Sequence, residues 1–90
     1  MAVNIEWRPS VHKDLEKMDP AIARRIVLKI ERELTLESRQ HTPLSGLFAG
    51  FYRLRVGDYR VIYVRTATGY GVARIGHRRE VYRQGPPEVQ

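Results

Sequence analysis

Residues 51–83 carry eight arginines and no lysine: Arg53, Arg55, Arg60, Arg65, Arg74, Arg78, Arg79 and Arg83. Two residues that can move protons, His77 and Tyr82, stand among them. Arginine's planar fork grips phosphate oxygens in pairs and stays charged at physiological pH, whereas lysine would serve equally well for solubility alone. Guanidiniums gathered with an imidazole and a phenol can cut RNA without a metal. In that reaction the ribose 2′-hydroxyl attacks the adjacent phosphorus, leaving a cyclic phosphate and a free 5′-hydroxyl. The reacting oxygens must be aligned, the charge of the pentavalent phosphorane stabilised, and protons moved. Arginines meet the first two needs, and losing one such contact should cost about 3 kcal/mol, the scale of an oxyanion-hole donor. Histidine, which titrates near neutral pH, or tyrosine meets the third.

Charge distribution points the same way. The 90-residue chain has a net charge of +6, but residues 1–50 balance eight cations against seven anions. Residues 51–83 set eight cations against two anions, Asp58 and Glu80, so a third of the chain holds nearly all the excess. A polyanion is the partner this asymmetry predicts, with a merely solvated basic face as the competing reading. The chain has no cysteine, so a disulfide framework and a thiolate metal site are both excluded. His12, His41 and His77 are scattered and do not suggest zinc; we expect no metal and no cofactor. His12 and His41 read as surface residues without a role. The N-terminus lacks a basic and apolar leader, and no run approaches the roughly 20 apolar residues of a membrane span. The expectation is a soluble, cytoplasmic protein with no membrane contact.

Ninety residues make one domain, 1–90, with residues 83–90 expected as a frayed tail after Gly85-Pro86-Pro87. Val3, Ile5 and Trp7 alternate with polar residues, the pattern of a half-buried strand. Pro9 opens a short helix with Val11, Leu15 and Met18 on one face. Asp19-Pro20 starts a second helix whose stripe is Ile22, Ile26, Val27, Ile30 and Leu34, running to about residue 36. Residues 37–50 read as a loop. Phe51–Val56 and Tyr59–Val64 then form a hairpin about Gly57-Asp58, where glycine in the first turn position fits a type II′ turn. Thr68-Gly69 turns the chain into a last strand, Tyr70–Ile75. The result is an α+β fold of order β-α-α-β-β-β, with a helical hairpin on a mostly antiparallel four-stranded sheet.

This order places the chemistry. Alternation sends Tyr52, Leu54 and Val56 towards the helices and Arg53 and Arg55 to the open face. Arg60 joins them from the adjacent strand, and a final turn from Gly76 is expected to bring His77, Arg78 and Tyr82 to the same surface. Tyr59 and Tyr63 read as packing residues, and Arg65 and Arg74 as solvated cations of the sheet.

The run Leu44-Ser45-Gly46-Leu47 with Gly50–Tyr63, and the closing Ile75-Gly76-His77-Arg78-Arg79-Glu80-Val81-Tyr82, resemble the two signatures of the RelE/ParE toxin superfamily. The resemblance covers residues 3–83. It implies the toxin of a type II toxin–antitoxin system, an mRNA interferase that cuts A-site codons on the 70S ribosome without a metal. It implies a RelB-like antitoxin as partner, with a toxin–antitoxin heterotetramer as one stoichiometry left open. By motif position Arg53 and Arg55 would be the paired basic residues of the strand, Arg60 and Arg78 the phosphate-stabilising arginines, Tyr82 the C-terminal tyrosine and His77 a flanking basic residue; we expect Arg60, Arg78, Tyr82 and His77 to be catalytic and Arg53, Arg55, Arg79 and Arg83 to bind RNA. Well-studied relatives carry lysines at the paired strand positions. Arginine, with a pKa above about 12, is a poor base, so proton transfer would fall to His77 or Tyr82. The alternatives are a ParE-type inhibitor of DNA gyrase and a non-catalytic module that binds RNA or antitoxin.

Overall fold

The structure, a computed structural model, describes residues 3–36 and 40–87. The alternating N-terminus forms strand β1 (Asn4–Trp7), and Pro9 opens helix α1 (Pro9–Glu16). Asp19 caps helix α2 (Pro20–Leu34), its Oδ1 accepting from the Ala21 N–H at 2.8 Å. The helix stops short of residue 36. There the Thr35 hydroxyl turns back to donate to the carbonyls of Glu31 and Arg32, at 2.8 and 3.1 Å.

The loop expected over 37–50 holds more structure than its polar composition suggests. It contains a two-residue strand, β2 (Thr42–Pro43), and a 3-10 turn over Gly46–Phe48. The sheet therefore has five strands rather than four, completed by β3 (Tyr52–Val56), β4 (Tyr59–Arg65) and β5 (Gly69–His77). Its order is β1-β5-β4-β3-β2, with β1 parallel to β5 and the other pairs antiparallel. At the β3–β4 turn Gly57 has φ +58° and Asp58 does not share a positive φ, as type II′ geometry requires.

One sheet face meets the helices. Val11, Ile26, Ile30 and Leu34 pack there on Leu54, Val56, Val61, Tyr63, Val72 and Ile75. The opposite face is only partly open. Phe51, Ile62, Ala73 and Val81 form a second, smaller cluster on it, flanked by Leu44, Phe48, Val64 and Tyr82. Residues 83–87, expected in a frayed tail, are held against the fold: Pro87 is buried, and Arg74 Nη1 donates to the Gly85 carbonyl at 2.6 Å. Residues 37–39 of the expected loop and 88–90 of the expected tail lie outside the described residues.

The last strand is longer than the spacing suggests and has two kinds of partner. Its first half pairs with β1, Asn4 opposite Gly69 through Trp7 opposite Val72. Beyond Trp7 helix α1 substitutes for a strand. The Ser10 hydroxyl donates to the Ala73 carbonyl at 3.0 Å, and Asp14 Oδ2 accepts from the Ile75 N–H at 3.0 Å. Every polar group of this edge so engaged is spared the cost of burial without a partner.

Gly69 is required by this pairing, since a Cβ there would run into the backbone of Asn4. We expect Gly69→Ala to lower the free energy of unfolding by about 2 kcal/mol, within the range of overpacking substitutions. Urea denaturation of the two proteins measures it; an unchanged midpoint would mean that β1 does not approach β5 this closely.

Candidate active site

The β3–β4 hairpin brings the basic side chains together. Arg55 lies directly opposite Arg60 across the strand pair, on the face away from the helices, and Arg53 lies two residues along the same face. Like charges in this relation oppose folding. Arg60 is held in place nonetheless, its Nη1 donating to the carbonyls of Gly57 at 3.0 Å and Tyr59 at 2.9 Å. Burial lowers the Arg60 guanidinium below its ordinary pKa, and Arg55, Arg53 and Arg78 push it the same way while Tyr82 acts against them. It remains a cation at neutral pH.

The turn after β5 supplies the remaining members. The Arg78 N–H donates to the Asp58 carbonyl at 2.8 Å, which ties this turn to the hairpin turn. The side chains of Arg78 and Asp58 also approach, Nε to Oδ1 at 3.8 Å, but at 51% and 70% exposure this ion pair contributes little. The His77 carbonyl accepts from the N–H groups of Glu80 and Val81, both at 2.9 Å, so the chain folds back over the sheet. Val81 rests on Gly76, where an added Cβ would come within 3.3 Å of it. Tyr82 then packs edge-on against Phe48, ring centroids 5.4 Å apart. Its hydroxyl is buried and has no hydrogen-bond partner.

Of the expected residues, Arg53, Arg55, Arg60, Arg78 and Tyr82 thus converge. Arg79 and Arg83 are exposed on the turn that follows β5. His77 does not join them. It is the last residue of β5, directly opposite Tyr59, and its ring meets that tyrosine edge-on at 5.8 Å on the helix side of the sheet. Its Nδ1 accepts from the Arg79 N–H at 3.2 Å. Adjacency to Arg78 in sequence misleads here, because the strand runs through residue 77.

His41, expected at the surface without a role, is half-buried. Its Nδ1 lies 2.7 Å from the Tyr63 hydroxyl and its Nε2 3.1 Å from the Tyr70 hydroxyl. It also packs edge-on to Tyr52, ring centroids 5.7 Å apart, so it pins the segment before β2 to the sheet. Among the described residues no group of three or more His, Cys, Asp and Glu could hold a metal.

The geometry defines a small basic α+β domain whose sheet presents an arginine-bearing face beside a buried phenol. The chain belongs to the ParE toxin family: the family described as the ParE toxin of the type II toxin–antitoxin system parDE matches residues 5–82. Among solved structures it is similar to the RelBE2 toxin–antitoxin complex of Mycobacterium tuberculosis, with 28% identity, a TM-score of 0.76, and 84% of this chain and 91% of that one covered. It shares its fold with the RelB–RelE complex of Methanococcus jannaschii, at 23% identity and TM-score 0.66 over 88% of this chain and 96% of that one. The same holds for YafQ of E. coli, at 18% identity and TM-score 0.60 over 87% and 96%. No curated protein matches the chain by sequence. The protein is a type II toxin of the RelE/ParE superfamily.

The unpartnered Tyr82 hydroxyl should oppose folding. Tyr82→Phe is expected to raise stability by about 1 kcal/mol, because a buried hydroxyl without a hydrogen bond is removed. Urea denaturation checks this, and a loss of similar size would show the hydroxyl to be bonded.

Proposed function

We propose that this toxin is a metal-independent endoribonuclease that cuts messenger RNA at A-site codons on the 70S ribosome and so halts translation. The observation that carries the reading is the gathering of Arg53, Arg55 and Arg78 about Arg60, with Tyr82 near enough to act on the same guanidinium. Two arginines facing each other cost folding energy, whereas an in-line phosphoryl transfer uses paired cations of this kind. Arg53 and Arg55 hold the phosphates on either side, and Arg60 and Arg78 stabilise the phosphorane. As the 2′-oxygen bonds to phosphorus its proton leaves to water. The bond from phosphorus to the 5′-oxygen breaks, and the Tyr82 hydroxyl, buried in the free protein, turns outward on RNA binding to supply the proton to that oxygen. His77 faces the other side of the sheet and takes no part. Arg79 and Arg83 bind RNA from the exposed turn. Much of the rate comes from alignment, which the ribosome supplies by holding the messenger.

The partner in the cell is a RelB-like antitoxin, the kind of protein seen with the toxins of the RelBE structures. Among the described residues no helix is long and apolar enough to cross a membrane, and the cytoplasm, where ribosomes are, is the site of action. A second reading has one observation in its favour: the matching family bears the ParE name. Under it the same arginine face would meet DNA gyrase, and no RNA would be cut.

Primer extension on a defined messenger in a cell-free translation reaction decides between them. We expect new 5′ ends at A-site codons that are absent from naked RNA. Intact messenger together with inhibited supercoiling by gyrase would establish the second reading. Arg60→Ala should reduce cleavage about a hundredfold or more, the scale of losing one charge-stabilising donor, without loss of fold. His77→Ala should cut like the parent, and a loss comparable to that of Arg60→Ala would return the imidazole to the chemistry.

A further inference from the structure

Arg74, whose place in the sequence marks it as a solvated cation of the sheet, is half-buried and engaged. Its Nη1 donates to the Gly85 carbonyl at 2.6 Å, a short bond of the charge-assisted kind. The Gly85 N–H in turn donates to the Tyr82 carbonyl at 3.3 Å. Two bonds thus run from strand β5 through Gly85 to the backbone of Tyr82. Gly85 has φ +75°, a left-handed conformation that glycine adopts without strain and that bends the chain back here.

Tyr82 therefore stands between two anchors. Before it, Val81 is buried and rests on Gly76. After it, Gly85 is held by Arg74, and Pro87 is buried beyond. The proposed chemistry asks the phenol to leave its buried place against Phe48 and turn towards the RNA. With the backbone fixed on both sides, that turn is a rotation of the side chain alone. It runs between a few staggered positions, so the hydroxyl arrives at one place. With the segment after Tyr82 loose, the same rotation starts from many backbone positions and scatters the hydroxyl about the leaving oxygen. A misplacement of about 1 Å is enough to cost on the order of a hundredfold in rate.

We propose that Arg74 is a positioning residue for the cleavage reaction: through Gly85 it fixes the backbone from which the Tyr82 phenol swings to the leaving 5′-oxygen. The inference rests on the RNA reading given above. It gives a part in the rate, and none in RNA binding, to an arginine that stands apart from the cluster about Arg60.

Single-turnover cleavage on 70S ribosomes programmed with a defined messenger tests it, beside binding to ribosomes whose A-site codon is 2′-O-methylated and cannot be cut. Arg74→Ala should cleave about 10- to 100-fold more slowly and bind the uncleavable complex like the parent. Arg74→Lys, which keeps a cationic donor, should recover most of the rate. A chain ending at Arg83 lacks the Gly85 carbonyl and should be as slow as Arg74→Ala, so it carries the test even where Arg74→Ala fails to fold. Combining the two changes should slow cleavage no further. In the free protein, amide NMR relaxation should show the Gly85 order parameter falling from about 0.85 to below about 0.6 in Arg74→Ala. Cleavage by Arg74→Ala at the parent's rate, an unchanged Gly85, additive losses in the combined variant, or a loss explained by weaker binding would overturn the positioning role and leave the RNA reading standing. A parent that cuts no messenger would overturn both.

Discussion

Strand β5 is the constraint on which the rest of the molecule depends. It is the strand that β4 and β1 both pair with, and it carries the turn that delivers Arg78 and Tyr82. Its alternation is broken once. The register with β4 slips at Ile62/Tyr63, so Ala73 is an extra residue on β5. Val72 and Ile75, an odd number of positions apart, can then both face the helices. Without the bulge the strand's alternation would bring Arg74 under the helices and send Ile75 outwards. With it, Ala73 joins the small cluster on the far face, and Arg74 reaches the Gly85 carbonyl and holds the chain that follows Tyr82.

That far-face cluster gives the site its character. Phe51, Ile62, Ala73 and Val81 take water away from Tyr82, and Arg60 nearby is itself partly desolvated. A guanidinium or phenol in such surroundings interacts more strongly with a charge that arrives than it would in open solvent. The same packing fixes where these groups stand before any ligand arrives, which is what stabilising a short-lived charge requires.

Much of this could be read from residue order, and the failures have physical causes. Hydrophobic alternation placed Leu54 and Val56 inside and Arg53 and Arg55 outside, and Asp19-Pro20 marked the start of α2. Strand β2 was missed because two residues, one a proline, carry no periodicity. The parallel pairing of β1 with β5 is a contact between chain ends that local pattern does not encode. The true side of His77 is legible in the sequence: two positions after Ile75, a core residue, a strand returns to the core side. His41 escaped notice because its partners, Tyr63 and Tyr70, lie far along the chain and are identified by face, which only the register defines.

The opposed pair Arg55 and Arg60 has a thermodynamic corollary. Their repulsion is present in the folded chain and relaxed in the unfolded one, so any multivalent anion that bridges them shifts the equilibrium towards the native state by mass action. Sulfate, phosphate or a carboxylate-rich segment would each serve, and plain salt would help by screening. In dilute buffer, with neither salt nor a bound anion, that repulsion is felt in full. A multivalent anion that binds this face is thereby a folding ligand, whatever other part it plays.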